Sequence, residues 1–328
     1  MNIDTAITRC IKKAQNMRAV TTARSYGTAL NAFKKYLIAN DVDPKTCSVD
    51  DLDMDTFIFY QSWLSQQGYS KSTAGVYIYG VQYFLEWLVI DGHITPDYQQ
   101  TLRYRDSINQ IQRQKEKKLP RWPKQDDVDK MLQAARDRTG VDSPIYDRDI
   151  AVIEALASSG ARVSELAGLS IKDIDTEDMS AIVMGKGKVQ RRTYFNRSTI
   201  KALKEYWTVR GSCHPNDPIF ARHDRKAGKK KIKFLGVRSI QNIVDSVCDT
   251  AGIDRGKFSP HYFRHGFGIR ALRETGNLAL VQDLMGHASP QATRIYAKIY
   301  PDDLRDAYRK IFDKDKNTDN PDNLRDVG

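Results

Sequence analysis

The sequence has few of the features that mark secreted, membrane-spanning or metal-dependent proteins. Its four cysteines are scattered over 328 residues, with no CxxC pair and no cysteine–histidine spacing suited to zinc. It has no run of about 18 apolar residues, and its N-terminus lacks the apolar core of a signal peptide. No group of acidic residues has the pattern of a Mg²⁺ site. We therefore expect reduced thiols, a cytoplasmic location without membrane attachment, no metal and no cofactor.

Positive charge is what the chain has in excess. Lysine and arginine number 52 against 41 aspartate and glutamate residues, a net charge of +11, and the pI is about 9.3. Residues 1–112 contain 11 basic and 11 acidic residues, so the whole excess follows residue 112. Such a balance favours a polyanionic partner, although many basic proteins bind none. The composition otherwise indicates a soluble globular protein long enough for two domains.

Residues 1–112 are predicted to form a helical domain, because apolar residues recur at helical spacing. Three helices are predicted there: Thr22–Ala39, Met54–Gln67, and one from Ser70 or Ser72 to Gly92. A polar, basic stretch with Pro120 and Pro123 follows, and it predicts a linker over residues 113–124. A solvated loop and a basic connector between two domains that bind a polyanion are both consistent with that stretch.

Residues 125–312 are predicted to form a mixed domain. Apolar and β-branched stretches on both sides of Gly185 and Gly187 predict a β-hairpin with lysines at its turn. The predicted helices are Gln125–Arg138, Asp147–Ser158, Thr199–Arg210, Val237–Ala251, Pro260–Thr275, Leu278–Met285, Pro290–Ile299 and Asp302–Phe312. Residues 313–328 are polar enough to be disordered. The predicted fold class is thus mainly α with a small antiparallel β-sheet.

The segment SPHYFRH places a histidine and an arginine near a helix start. Ser259 and Pro260 suit the N-cap and first helical position, so His261 and Arg264 lie on one face of the first turns. A phosphate there would contact imidazole, guanidinium and free backbone N–H groups together. In isolation, HxxR is more often a capped helix with an incidental histidine and arginine.

Three further segments carry candidate residues. In LMGHAS, Gly286 suits a helix C-cap, which leaves His287 on a short loop, and Tyr296 follows nine residues later. In GARVSEL, Arg162 has the planar, permanently charged fork suited to a phosphate, although a surface pair with Glu165 is equally plausible. We expect Glu165 to orient Arg162. Lys186 and Lys188 flank Gly187 at the hairpin tip, where lysines usually serve only solubility.

Together and in chain order, these segments resemble the catalytic signature of the tyrosine recombinases, or phage integrase family. The order is an arginine in ARxSEL, a GKGK hairpin, HxxRH, a GH corner and a tyrosine nine residues later. The motifs cover residues 121–312. The first half resembles, more loosely, the SAM-like core-binding domain of Xer-type recombinases through TTARSYGTALNAFKKYL and YSKSTAGVYIYGVQYFLEWL. The whole set is far more specific than any single motif.

The resemblance implies a role for each residue. Tyr296 would attack the scissile phosphate and form a 3'-phosphotyrosyl link with a free 5'-hydroxyl. Arg162, Arg264 and His287 would contact the non-bridging oxygens, and His261 would assist proton transfer. The same chemistry needs neither metal nor ATP, because the bond energy is kept in the phosphotyrosine.

Lys186 would protonate the leaving 5'-oxygen by that resemblance, with Lys188 as the reserve candidate. The chain departs from the family pattern in LMGH, where LLGH is frequent, and in AKI after Tyr296, where many relatives have TH. Neither departure affects the proposed nucleophile. Only about 20 residues precede the first family-like helix, so we expect no additional arm-binding domain.

The resemblance also implies the partners. Double-stranded DNA with a specific core site would lie in a C-shaped clamp, which implies association with the nucleoid. A basic run is expected to contact phosphates without reading sequence: Arg225, Lys226, Lys229, Lys230, Lys231 and Lys233. The predicted helix Asp302–Phe312 would dock on a neighbouring protomer in a homo-tetramer on two DNA sites, or else on its own domain. A partner recombinase is a further option.

Two other functions share parts of this pattern. A type IB topoisomerase uses similar arginine, lysine, histidine and tyrosine chemistry but exchanges no strands, and the helical first domain and GH corner are more typical of recombinases. A DNA-binding protein without catalysis could have the same fold. The presence of all the catalytic residue types together favours an enzyme.

Overall fold

The chain consists of two units, Met1–Lys118 and Leu119–Gly328. The computed structural model describes residues 1–113, 124–138, 144–185, 189–211, 213–223, 232–287, 289–290, 293 and 308. The expected linker therefore lies outside the described residues apart from its two ends, and the expected tail lies wholly outside them. The predicted domain limits stay predictions.

Over its described residues, 1–113, the first unit consists, in its regular structure, of helices and one isolated β-bridge between Asn2 and Ser48. Its described helices are α1 (Ile3–Met17), α2 (Val20–Ala39), α3 (Met54–Gln66), α4 (Lys71–Ile90) and α5 (Tyr98–Arg113). Polar side chains cap several of them: Asn2, Asp53 and Ser70 each accept a backbone N–H from the first turn of α1, α3 and α4. The caps satisfy N–H groups that a helix start leaves without an internal partner.

The predicted set omits α1 and α5. Helix α1 buries residues at helical spacing, but small Ala6, Cys10 and Ala14 occupy three of these positions, which weakens the hydrophobic pattern. Helix α5 is mostly polar, and Tyr104 is its buried apolar residue among those described. Packing against the other helices stabilises both, and sequence periodicity predicts that poorly.

Close packing of α2 on α4 forms the centre of the first unit. A Cβ on Gly80 of α4 would lie only 2.4 Å from the Cβ of Ala29 on α2, so glycine lets the two backbones approach. Around this contact the aromatic rings of Phe33, Phe57 and Tyr60 stack or meet edge to face. The unit therefore has its own hydrophobic core.

The second unit combines helices with a small sheet. Its described helices are α6 (Gln125–Asp137), α7 (Pro144–Ser159), α8 (Val163–Ala167), α9 (Arg197–Arg210), α10 (Val237–Ala251), α11 (Pro260–Thr275) and α12 (Leu278–Met285). Its strands are β1 (Ile174–Asp175), β2 (Ser180–Met184) and β3 (Gln190–Tyr194). They form one antiparallel sheet in the order β1-β2-β3. The predicted fold class, mainly α with a small antiparallel sheet, is confirmed.

Alternation along β2 and β3 determines which side chains enter the core. Val183 on β2 pairs with Arg191 on β3, and Ala181 pairs with Thr193. Val183, Ala181 and Thr193 are buried, and the Thr193 hydroxyl donates to the Ser159 carbonyl at 2.9 Å. This bond connects the hairpin to the end of α7. The hairpin turn, residues 186–188, lies outside the described residues.

Two other sequence expectations concern cysteines and membrane spans. All four cysteines are free thiols, and Cys10 and Cys248 are buried. Burial raises the pKa of the Cys10 thiol to about 12. Across the described parts of the chain, no helix combines the length and the apolar composition that a membrane crossing requires.

Candidate active site

Arg264 lies buried at the centre of the candidate site. It is in the second turn of α11, which begins at Pro260, and only 4% of its surface is exposed. One guanidinium nitrogen, Nη1, donates to the Gly160 carbonyl at 2.5 Å, and Nη2 donates to the Met285 carbonyl at 2.6 Å. Gly160 has φ +59°, and a Cβ there would lie 2.4 Å from the Phe267 ring. Only glycine fits where Gly160 accepts this bond.

Arg162 precedes α8 as its N-cap residue, with its side chain 36% exposed. Its Nη1 donates to Glu165 Oε1 and its backbone N–H donates to Glu165 Oε2, both at 2.8 Å. Its Nη2 donates to the Gly286 carbonyl at 3.2 Å. The guanidinium therefore has a defined orientation while part of it faces solvent, as contact with a ligand phosphate requires.

Glu165 is a buried carboxylate between two guanidinium groups. Its side chain is 2% exposed, and Arg191 Nη2 donates to Oε2 at 2.7 Å. Burial raises the pKa of Glu165, but the hydrogen bonds from Arg162 and Arg191 outweigh burial, so its pKa lies below the usual value. The carboxylate is ionised at neutral pH, and the three groups together carry one net positive charge.

Three successive backbone carbonyls at the C-terminal end of α12 each accept a hydrogen bond from a different arginine. Arg191 Nη1 donates to the Leu284 carbonyl at 2.9 Å, next to the bonds that Met285 and Gly286 accept. Carbonyls at a helix C-terminus have no partner within the helix, and the partial negative charge there favours cations. Gly286 ends α12 with φ +61°, and a Cβ there would lie 2.3 Å from Arg191 Cδ. His287 follows directly.

His287 is uncharged at neutral pH. Its Nδ1 lies 2.9 Å from the hydroxyl of the buried Thr293. Burial, followed by the charges of Arg264 and Arg162, lowers the pKa of His287 to about 4. A neutral imidazole beside two guanidinium groups can donate one N–H to an anionic ligand without adding its own charge.

His261 and His265 form a pair one helical turn apart. Their Nε2 atoms are 2.9 Å apart, so one ring donates and the other accepts. Burial and the charges of Arg264 and Arg162 lower the pKa of His261. Burial, the neighbouring His261 and Arg264 lower the pKa of His265 to about 4. Both rings are therefore neutral at pH 7, and each can accept a proton.

The structure brings one group of predicted site residues together: Arg162, Glu165, His261, Arg264 and His287. Three others, Lys186, Lys188 and Tyr296, lie outside the described residues. Gly185, which precedes the hairpin turn, does approach this group. A Cβ on Gly185 would lie 3.9 Å from Glu165 Oε1, and its N–H donates to the Val189 carbonyl at 2.8 Å. The turn that bears the two lysines thus begins beside Glu165.

The basic run is described only at its base. Arg222 donates its backbone N–H to the Lys233 carbonyl at 2.9 Å, and Leu235 donates to Phe220 at 3.0 Å. Phe220 and Leu235 are buried, so this two-stranded base packs into the core. The other predicted phosphate contacts lie outside the described residues: Arg225, Lys226, Lys229, Lys230 and Lys231.

The predicted site residues did not include Arg191 or His265. For His265 a sequence signal exists, because it lies four residues after His261 on the same helix face. For Arg191 the signal is weaker. Because side chains alternate along a strand, the positions of Val183 and Thr193 place Arg191 on the inner face and Arg192 on the outer face. The hydrogen-bond partners of Arg191 lie 26 and 93 residues away in sequence, so no local pattern predicts them.

Comparison with known protein families gives two matches. The model of the phage integrase family matches residues 121–302. The model of the phage integrase SAM-like domain matches residues 5–103. The two matches correspond to the two halves in which the sequence motifs occur.

Two curated bacterial tyrosine recombinases are similar in sequence to this chain, one over part of its length and one over most of it. Tyrosine recombinase XerD of Mycobacterium tuberculosis is 35% identical over 196 residues, which cover 58% of this chain and 61% of that protein. The match therefore spans about three fifths of the length of this relative. Tyrosine recombinase XerC of Pediococcus pentosaceus is 28% identical over 295 residues, which cover 89% of this chain and 91% of that protein.

A solved structure extends the likeness to the fold. The XerH site-specific recombinase, in a pre-cleavage complex with its difH substrate, has a TM-score of 0.68 with 22% sequence identity, covering 92% of this chain and 83% of that chain. At this identity the likeness concerns the fold alone. Because the family model matches more than half of the chain, including Arg162, Arg264, His287 and Tyr296, the chain belongs to the phage integrase family, the tyrosine recombinases.

Proposed function

We propose that this tyrosine recombinase cuts and rejoins double-stranded DNA at a specific core site, through a 3'-phosphotyrosyl intermediate and a Holliday junction. The observation that carries the proposal is the convergence of Arg162 and Arg264 on the α12 C-terminus beside His287. An uncharged imidazole and two oriented guanidinium groups supply donors for the non-bridging oxygens of one phosphate.

The reaction makes and breaks one bond to phosphorus at each step. The Tyr296 oxygen attacks the scissile phosphorus, the bond from phosphorus to the 5'-oxygen breaks, and that oxygen leaves as a hydroxyl after accepting a proton. A 5'-hydroxyl from the partner strand then attacks the phosphotyrosine, and Tyr296 leaves. The two steps are chemically symmetric, so no external energy source is needed.

Charge stabilisation is the main contribution of the arginines. The five-coordinate phosphorus transition state carries more negative charge than the ground state on its non-bridging oxygens. Donors that are already in place when the substrate binds stabilise that charge without reorganisation, and loss of one such donor typically slows a reaction by about 10²- to 10³-fold. Arg264 and Arg162 meet this requirement, because backbone carbonyls and Glu165 orient their guanidinium groups.

Proton transfer needs both a base and an acid. A free tyrosine has a pKa of about 10, so the Tyr296 proton must move during attack. His261 is neutral at pH 7 and can accept a proton, with its own pKa lowered by burial and nearby arginines. Lys186 would donate the proton to the leaving 5'-oxygen, with Lys188 as the reserve candidate.

The wider assembly follows the same proposal. The basic run, from Arg225 to Lys233, would contact phosphates of the bound duplex. The protein would associate with the nucleoid. Segment 302–312 would dock on a neighbouring protomer in a homo-tetramer on two sites, with a partner recombinase as a further option. Tyr308, in this segment, has 62% of its surface exposed.

The first experiment tests the nucleophile. The protein is incubated with fragmented DNA from its source organism, denatured with SDS, and the protein-linked fragments are sequenced. Tyr296→Phe should bind DNA normally yet form no covalent adduct, because it lacks the attacking oxygen. Tyr300→Phe, which changes the next tyrosine along the chain, is the matched control and should form adducts like the unchanged protein.

The pattern of ends distinguishes the outcomes. Discrete ends that depend on Tyr296 support a site-specific recombinase and disclose its site. Scattered ends that depend on Tyr296 point to a relaxing enzyme of the type IB topoisomerase kind. Adducts formed equally by Tyr296→Phe would overturn the nucleophile assignment. No adducts from any variant would leave a DNA-binding protein without catalysis or an enzyme that needs a partner recombinase.

A truncation tests the assembly. Removing residues 301–328 should abolish cooperative pairing of two sites while binding to a single site persists, since the docking segment is lost. Synapsis can be followed by native gel shift on DNA with one or two sites. Intact cooperative synapsis by the truncated protein would exclude docking between protomers.

A further inference from the structure

The hairpin strand β3 directs one of two neighbouring arginines into the candidate site. Arg191 pairs with the buried Val183 and lies on the same face as the buried Thr193, and its side chain is 12% exposed. Arg192 points to the other face, where its side chain is 54% exposed and paired with Asp178 at 2.8 Å. Adjacent residues of one type thus have different surroundings.

Arg191 contacts two elements that carry the proposed catalytic groups. Its guanidinium donates to Glu165 Oε2 of α8 at 2.7 Å and to the Leu284 carbonyl of α12 at 2.9 Å. Its Cδ lies against Gly286, where a Cβ would be 2.3 Å away. One side chain therefore connects the strand after the lysine turn, the helix start at Arg162 and the corner that precedes His287.

Arg162, Glu165 and Arg191 form a group of two positive charges and one negative charge, in contrast to a simple ion pair. Glu165 Oε1 accepts a hydrogen bond from the Arg162 guanidinium. Glu165 Oε2 accepts one from the Arg191 guanidinium and another from the Arg162 backbone N–H. If Glu165 and Arg162 were alone, their charges would cancel. With Arg191 present, one positive charge remains, and Arg162 is the more exposed of the two arginines, at 36% against 12% of the side chain.

We propose that Arg191 is a positioning residue of the strand-transfer site: it neutralises Glu165 and fixes the α12 corner, so that the positive charge of Arg162 remains available to the scissile phosphate. This inference rests on the proposed function. Arg191 acts through Glu165 and Arg162 and does not itself contact DNA. A lysine could not replace it fully, because one ammonium group lacks the planar fork that spans two acceptors.

The test compares Arg191→Gln with Arg192→Gln in single-turnover cleavage, with protein in excess over a DNA site found by the adduct experiment. Arg191→Gln should cleave about 10- to 100-fold more slowly, by analogy with the range found for residues that orient metal ligands from outside the ligand shell. Arg192→Gln, on the same strand and the opposite face, should stay within about threefold of the unchanged protein, in keeping with its exposed pair. Saturating protein removes differences in DNA affinity.

A second substrate separates loss of charge from loss of structure. In it a methyl group replaces one non-bridging oxygen of the scissile phosphate, which removes the negative charge that Arg162 would balance. Arg191→Gln should then fall behind the unchanged protein by a much smaller factor than on ordinary phosphate. A defect equally large on both substrates would mean that Arg191 is merely structural, and the proposal would be wrong.

A double substitution tests the route through Glu165. If Arg191 neutralises that carboxylate, Glu165→Gln in the Arg191→Gln background should recover part of the lost rate, giving a positive coupling between the two positions. A double variant slower than both single variants would overturn the proposal. Should Arg191→Gln fail to fold, Arg191→Lys, which keeps a positive charge beside Glu165, should lose less on ordinary phosphate than the about 10- to 100-fold expected for glutamine, and a larger loss would overturn the proposal.

The outcome is separable from that of the proposed function. If the unchanged protein forms no Tyr296-dependent adduct on any DNA, alone or with a partner recombinase, the proposed function fails, and the cleavage rates of the variants have no reference rate. If it forms adducts and Arg191→Gln cleaves as fast as Arg192→Gln, only the positioning role fails.

Discussion

The corner after α12 offers a sharp test of how the candidate site is built, through Gly286→Ala. Gly286 has φ +61°, and a Cβ there would lie 2.3 Å from Arg191 Cδ and 2.6 Å from its Nε. Gly276, at the end of α11, is also left-handed, with φ +62° and ψ 2° against ψ 49° at Gly286, and no atom lies within 4 Å of its added Cβ. Gly276→Ala is therefore a matched control for backbone strain alone.

The expected costs follow from these contacts. A left-handed conformation costs an alanine roughly 1–2 kcal/mol, which applies to both positions. At Gly286 the methyl group must also displace Arg191, whose guanidinium is held by Glu165 and Leu284. Loss of that charged hydrogen bonding adds about 1.5–3 kcal/mol. We expect Gly286→Ala to lower the free energy of unfolding by about 2.5–5 kcal/mol in total.

Unfolding of the full chain, followed through the transition of the second unit, measures the difference. For a domain of this size, the extra cost should lower the midpoint of thermal unfolding about 3–12 °C below that of Gly276→Ala. Gly286→Ala should also slow DNA cleavage, because Arg191 and the corner before His287 move. Equal destabilisation by the two alanines would refute the close approach of Arg191 to Gly286.

Two other predictions concern packing and pH. Gly80→Ala should destabilise the first unit by about 1–3 kcal/mol, since its Cβ would lie 2.4 Å from that of Ala29. Gly27→Ala should instead stabilise this unit by about 0.5–1 kcal/mol, because the nearest atom to its Cβ is at an ordinary 3.9 Å. Chemical denaturation measures the change in the free energy of unfolding for both variants. Burial lowers the pKa of His265 and of His287 to about 4, below the usual 6.5. The unfolded chain therefore binds more protons between these values, so stability should fall as pH decreases from about 6.5 to about 4. Midpoints of thermal unfolding across this range should fall less steeply for a variant with glutamine at both positions, and an unchanged slope would contradict the assignment.

Much of the fold could be predicted from local sequence. The helices from α2 to α4 and from α9 to α12 have periodic apolar residues, and their predicted bounds lie within a few residues of the observed ones. All of them except α2, whose N-cap is Ala19, also have a recognisable cap residue at one end or both. Helices α1 and α5 were missed because small or polar residues fill their sequences, and contacts with the rest of the unit stabilise them. Local patterns describe amphipathic helices well and helices stabilised by their neighbours poorly.

The candidate site was predictable in residue type and chain order, through the family motifs. The catalytic roles of Arg162, Arg264, His261 and His287 stay proposals, as does that of Tyr296 outside the described residues. The contribution of Arg191 was not predictable, because its partners Glu165 and Leu284 are distant in sequence.

The sequence by itself determined most helices of both units, the hairpin, several helix caps and the order of the arginine, histidine and tyrosine motifs, because each depends on neighbours a few residues away. Only the tertiary structure decided which arginine meets which carbonyl at the end of α12, and that Glu165 is shared by Arg162 and Arg191. It also decided that the histidines are neutral, because burial and nearby arginines lower their pKa values. These properties depend on charge and burial contributed by segments up to 124 residues apart, which no local pattern records.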